Sequence, residues 1–262
     1  MGSGGSGVRG GGKGGSAPAP ANTPSGISFD TFSKMSDSEK ISTLTNIIND
    51  DTINVPDYLD KSDTTKVIYA LGMNNKPTVV SDSQLDSLPG RELFRCVYDN
   101  GNPPIKSTDI LDQIAYGDYT QLSGKGGSVH GRALYMGTSF SSAASYGQRG
   151  SNPVVMRSKL NPNANVRSED SLKTQMRNDA AWQSAHWKLN SGGYDDIALY
   201  ALSHGVDAWY SSSYTMIVNR GILSTSSTKK SAGTPTKTGK VRKKISYGTL
   251  ASSWDSAADV KS

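Results

Sequence analysis

The residues best suited to chemistry in this chain are an arginine, two tyrosines and a run of hydroxyls. Arg95 sits mid-way along LFRCVYD, a stretch whose alternation and aromatic and β-branched content read as a strand. A guanidinium there presents a planar fork of donors that matches phosphate oxygens, or it pairs with a carboxylate across a sheet. Further on, HGRALYMGTSFSSAASYG runs from an apolar strand into Gly137, Thr138, Ser139, Ser141 and Ser142, with Tyr135 before them and Tyr146 after. A core strand ordinarily ends on one or two turn residues. So many hydroxyls either face a ligand or cap the short helix SSAASYG. The two phenol rings offer flat faces for stacking, or they fill a core.

Other chemistries find less support. Cys96 is the only cysteine, which excludes an intramolecular disulfide and a cysteine-based zinc site. His130, His186 and His204 are scattered and show no metal-ligand spacing. The loop GKGGSVHG lacks the Lys-Ser/Thr ending and following helix of a P-loop, and His130 within it reads as a surface residue. Trp182, His186 and Trp187 fall at helical spacing and read as helix packing. Nucleophile-plus-base arrangements of the hydrolase kind find no support.

The elements that must hold these residues divide the chain. Residues 1–26 are Gly, Ser, Ala and Pro with no large apolar group, a flexible leader. Residues 27–89 read as a small helical subdomain. Within it, SDSEKISTLTNIIND has Ser36 or Asp37 as cap, Glu39 in the first turn, and an apolar side of Ile41, Leu44, Ile47 and Ile48. TTKVIYALG reads as a helix closed by Gly72. From 90 to 224 strands and helices alternate: ELFRCVYD, then a helix opened by Ser107 or Thr108, RALYMGTS, SSAASYG and PVVMRSKL. A long helix SLKTQMRNDAAWQSAHWKL follows, then a shorter one, DDIALYALSHG, and a final strand, TMIVNRGIL. With no regular βαβ period, this predicts an α+β fold with a mostly antiparallel sheet. Residues 225–262 read as a disordered basic tail.

Hydrophobic residues make up only 34% of the chain, in keeping with ends that do not pack. The leader and tail hold ten of the 28 basic residues and two of the 23 acidic ones, so the 18 bases and 21 acids between them leave the middle slightly acidic. The net +5 is thus a property of the tails, which suit contact with nucleic acid or another polyanion, or simply keep the chain soluble. The sequence carries no apolar run of membrane-spanning length and no signal-peptide pattern after the first methionine, so neither membrane insertion nor classical secretion is expected.

In chain order, Arg95, the strand ending Tyr135-Met136-Gly137-Thr138-Ser139, and YTMIVNRG resemble the ADP-ribosyltransferase superfamily over roughly residues 90 to 224. GSVHGRALYMGTSFSSAASYG is similar to the GxGIYFAD…SAxYC segment of poly(ADP-ribose) polymerases, and the whole is nearest in character to the domains found in bacteriophage proteins. The resemblance implies an antiparallel split-sheet core with NAD as substrate, broken at the nicotinamide–ribose bond through an oxocarbenium-like transition state. It implies mono-ADP-ribosyl transfer to a host protein or nucleic acid by a phage-encoded enzyme, acting in the host cytoplasm or carried in the virion. It also implies residue roles. Arg95 would anchor NAD phosphate or ribose oxygens, Tyr135 and Tyr146 would stack the nicotinamide, and Gly137-Thr138-Ser139 would stand where the toxin branch carries Ser-Thr-Ser, with Ser139 organising the floor of the site.

The family's catalytic Glu maps onto Thr215 and its partner acid onto Ser213. The expected outcome is therefore a substitute acid among Asp207, Asp195, Asp196 and Glu92, or a weak transferase, or a silent NAD- or partner-binding member. A virion-associated structural or nucleic-acid-binding protein is the remaining alternative. Asn219 and Arg220 read as structural.

Overall fold

The structure is a computed structural model that describes residues 27–53, 63–99, 105–117, 132–147, 150–185 and 195–232. Serines set its first helix starts. Ser28 caps α1 (Phe29–Ser33), its hydroxyl accepting the Thr31 N–H at 3.1 Å. Ser36 begins α2 (Asp37–Asn49) with a capping box, in which its own N–H reaches the Glu39 carboxylate at 2.8 Å. Those bonds from Ser36 hold the Glu39 carboxyl below its ordinary pKa. Leu44 and Ile47, three residues apart on α2, are buried on one side as the periodicity requires.

Next, α3 (Asp63–Ile68) runs into a π-helical turn, Tyr69–Met73, all of whose residues are buried. Gly72 lies within that turn and does not close a helix, which corrects the expected role. A Cβ there would stand 1.7 Å from the carbonyl oxygen of Val218. The glycine is needed so that two backbones can touch.

After these come β1 (Thr78–Val80), α4 (Asp82–Ser87), β2 (Glu92–Val97) and α5 (Ser107–Ala115). The expected cap of α5, Ser107 or Thr108, is displaced: Ser107 is the first helical residue, and Asp99 from beyond β2 accepts its N–H at 2.8 Å. Then follow β3 (Leu134–Gly137), α6 (Phe140–Gly147), β4 (Val154–Leu160), β5 (Val166–Ser168), α7 (Glu169–Asn178) and α8 (Ala180–Ala185). The predicted single long helix is broken between α7 and α8 by Asp179. Its Oδ1 accepts the Trp182 N–H at 2.9 Å, and its Oδ2 lies 3.3 Å from the Tyr200 hydroxyl and 3.1 Å from His204 Nε2. Burial, with Asp179 alongside, pushes the Tyr200 phenol up to about 12. The chain ends its described course with α9 (Asp195–Ser203), β6 (Ala208–Tyr210), β7 (Tyr214–Ile217), a 3-10 turn (Arg220–Ile222) and β8 (Leu223–Ser231).

Among the described residues the strands form one eight-stranded sheet in the order β1-β8-β4-β2-β3-β7-β6-β5. β1–β8 and β5–β6 are parallel and the other neighbours antiparallel, so the fold is α+β. The join between β2 and β3 is narrow. Phe94 opposite Gly137 is their single register pair, whereas β2 runs beside β4 from Glu92↔Lys159 to Val97↔Val154.

Two expected boundaries move. The helical segment is not a separate unit: Phe32, Leu44, Ile68 and Leu71 belong to the same buried cluster as Leu134, Trp209 and Ile217, and each such side chain contributes about 1.5–3 kcal/mol by leaving water. The disorder expected from 225 is corrected over the first residues of that segment, because β8 continues to Ser231 with Thr225 and Ser226 buried.

Candidate functional site

The narrow join is where Arg95 stands. Along β2, Phe94 and Cys96 point to the face covered by α6, and the Phe94 ring meets Phe140 edge-on at 6.3 Å between centroids. Alternation turns Arg95 to the opposite face with Leu93 and Val97. Its Nη1 donates to the Tyr135 carbonyl at 2.8 Å. Because β3 leaves β2 after one pair, the guanidinium serves a carbonyl close to where the ladder stops. Its Nε is buried and has no hydrogen-bond partner among the described residues.

Register then decides which expected residues share that face. Phe94 is opposite Gly137, and β3 pairs with β7 as Tyr135↔Met216, Met136↔Thr215 and Gly137↔Tyr214. Tyr135, Gly137 and Tyr214 therefore lie with Phe94 on the α6 face, where the Tyr135 and Tyr214 rings stand 6.5 Å apart. Thr215 lies with Arg95. This corrects the expectation that Arg95 and Tyr135 converge. The pleat sends their side chains to opposite sides, and Arg95 meets only the Tyr135 backbone. Tyr146 falls in α6, on the Tyr135 side, but its side chain lies outside the described residues.

The hydroxyl run turns out to be helix chemistry. Ser139 caps α6, its Oγ accepting the Ser142 N–H at 3.0 Å and its carbonyl the Ala143 N–H at 3.1 Å. Gly137 is small because α6 presses on it: a Cβ there would meet Ala143 N at 3.1 Å and its Cβ at 3.2 Å. The Thr138 N–H points to the Ser213 carbonyl at 3.4 Å, tying this corner to the β6–β7 turn. The capping alternative thus describes Ser139, and a site floor built on its hydroxyl gains nothing from this geometry.

Thr215, where the resemblance would put a catalytic Glu, is fully buried, and its hydroxyl has no hydrogen-bond partner among the described residues. Two of the substitute acids, Asp207 and Glu92, are committed elsewhere. Asp207 accepts the Asn165 N–H and the Asn219 side-chain amide, each at 2.8 Å, and burial raises its carboxyl above the usual range. Glu92 lies 3.5 Å from Arg157, which also meets Asp86 at 2.5 Å; the pairing Phe94↔Arg157 puts this group on the α6 face. The side chains of Asp195 and Asp196 lie outside the described residues. Compared with protein-family models, with curated proteins and with solved structures, the chain matches none of them.

Two residues that the sequence did not single out complete the Arg95 face. Tyr210 pairs with Thr215 in register, is 40% exposed, and has the Arg91 guanidinium 5.7 Å above its ring. An exposed tyrosine before a serine turn, in WYSSSYT, was the available signal. Arg220, by contrast, is structural as expected: fully buried, it donates to the carbonyls of Asn75, Gln113, Ile114 and Gly117. No described helix is long and apolar enough to cross a membrane.

Proposed function

We propose that this protein binds NAD on the Arg95 face of the join between the sheet halves, as an ADP-ribosyltransferase-like domain in which transfer to a macromolecular acceptor is slow. One observation carries the reading. Arg95 and Thr215 share a face and a cross-strand row, about two strand spacings or 10 Å apart, and each holds a buried polar atom without a partner among the described residues. Of the two residues Arg95 is only partly buried and so open to a phosphate-bearing ligand, whereas Thr215 has no exposed surface. The Arg95 fork suits phosphate oxygens, and no carboxylate among the described residues neutralises it.

Slow turnover follows from the residue types. The reaction needs negative charge beside the ribose, and positions 213 and 215 supply hydroxyls. Losing one such electrostatic group costs on the order of 100- to 1000-fold in rate.

Calorimetric titration of the full chain with NAD tests the reading, alongside chromatographic detection of released nicotinamide. The expected result is NAD binding with little release, weakened at least about tenfold by Arg95→Ala, since a hydrogen bond to a charged group contributes roughly 1.5–3 kcal/mol. Absence of NAD binding, or full affinity in Arg95→Ala, removes the proposal.

A further inference from the structure

We infer that Arg91 and Tyr210 form a clamp for the planar base of a nucleotide, and that this clamp takes the adenine end of the ligand whose phosphates Arg95 holds. The inference rests on the NAD-binding reading above. Tyr210 ends β6, and its register with Thr215 sets its ring on the Arg95 face. At 40% exposure it is one of the few large apolar side chains open to solvent among the described residues. The Arg91 guanidinium lies over that ring, 5.7 Å from its centroid, and makes no ion pair among the described residues. Its backbone, however, is fixed. Gly90 adopts φ +114°, where a Cβ would come within 2.0 Å of the Leu160 carbonyl oxygen, and the Leu160 N–H donates to the Arg91 carbonyl at 3.0 Å.

The root of Arg91 is therefore rigid while its head is free to swing. A flat ring held between guanidinium and phenol needs two contacts of about 3.5 Å, or roughly 7 Å in all. The pair stands at 5.7 Å, so a shift of little more than about 1 Å in an exposed side chain admits a base. Both partners favour such a guest: the phenol by stacking, the guanidinium by stacking and by its charge beside a phosphate. Arg95 follows four residues along the strand, about 13 Å away, which separates a base subsite from a phosphate subsite.

The test is calorimetric titration of the full chain and of Tyr210→Ala, Tyr210→Phe and Arg91→Ala with adenosine monophosphate, nicotinamide mononucleotide and NAD, each variant first checked for native circular dichroism. Tyr210→Ala and Arg91→Ala should weaken adenosine monophosphate and NAD by about tenfold or more and leave nicotinamide mononucleotide unchanged, while Tyr210→Phe, which keeps the ring, should bind as the parent does. If Tyr210→Ala and Arg91→Ala bind NAD as well as the parent while Arg95→Ala does not, the clamp is wrong and the NAD reading stands. If the parent binds adenosine monophosphate in a Tyr210-dependent way but not NAD, the clamp stands and the NAD reading falls. Binding of neither nucleotide overturns both. Should Tyr210→Ala fail to fold, the exposed Arg91→Ala variant decides alone.

Discussion

Replacing Arg220 by alanine should damage the fold more than any change at the candidate site. The guanidinium is fully buried and donates to four main-chain carbonyls: Asn75 at 3.2 Å, Gln113 at 3.0 Å, Ile114 at 3.1 Å and Gly117 at 2.8 Å. Gln113 and Ile114 belong to the last turn of α5, where helix ends leave carbonyls short of partners, although the Gln113 carbonyl also accepts the Gly117 N–H at 3.1 Å. Arg220 thus fastens the end of α5, the turn at Asn75 and the β7–β8 connection together. Loss of the donor at the Asn75, Ile114 and Gly117 carbonyls, at about 1–3 kcal/mol each, sets an upper bound, since the Gln113 carbonyl keeps the Gly117 N–H. The recovered hydration of the guanidinium in the parent's unfolded chain works against that figure, and water entering the vacated space offsets more of it. A net loss of about 3–5 kcal/mol remains, a large share of the roughly 5–15 kcal/mol that holds a domain folded. Urea denaturation followed by circular dichroism should show the midpoint falling at constant slope. Faster amide exchange at Tyr116 and Gly117 should accompany it, since their N–H groups bond to Asp112 and Gln113 in the same turn. Arg220→Lys should recover part of the loss, because an ammonium carries charge but not the fork. A loss under about 1 kcal/mol in Arg220→Ala would refute the reasoning.

Two further outcomes follow from single residues. Gly72→Ala drives a methyl into the Val218 carbonyl, a main-chain atom that cannot rotate aside, so a loss of about 3 kcal/mol is expected in the same urea assay; a loss below about 1 kcal/mol would contradict the packing described. Asp207 holds its proton more tightly folded than unfolded, so its contribution to stability is present at low pH and is lost as pH rises from its ordinary value of 3.8 through the raised folded value. Asp207→Asn removes that dependence, and its melting temperature relative to the parent should climb across this window. A flat or falling difference would reverse the assigned sign.

Local chemistry made much of this fold legible, and long-range register hid the rest. The cap at Ser36, the apolar side of α2 and the strand bearing Arg95 all depend on neighbours within a few residues, so the sequence displays them directly. Gly72 was visible as a glycine but not for its reason, since the constraint is the Val218 carbonyl, far along the chain. The break at Asp179 escaped a reading by periodicity because one carboxylate both caps α8 and meets Tyr200 on α9 and His204 just beyond it. The face of Tyr135 depends on a single pairing, Phe94 with Gly137, and a shift of one residue there would have placed the ring beside Arg95. Tyr210 and Arg91 meet across elements that the sequence does not relate.

The meeting of β2 and β3 at one residue pair has a mechanical consequence. Rotation of one half-sheet against the other breaks almost no main-chain ladder, so its stiffness comes from side chains, the Arg95 bond to Tyr135 and the edge-on Phe94–Phe140 contact among them. A guest that draws the Arg95 fork to itself strips a carbonyl at this joint of its donor. Occupancy and inter-sheet angle then share one free energy, and whatever wedges the joint from outside must alter affinity by the same factor that affinity alters the angle.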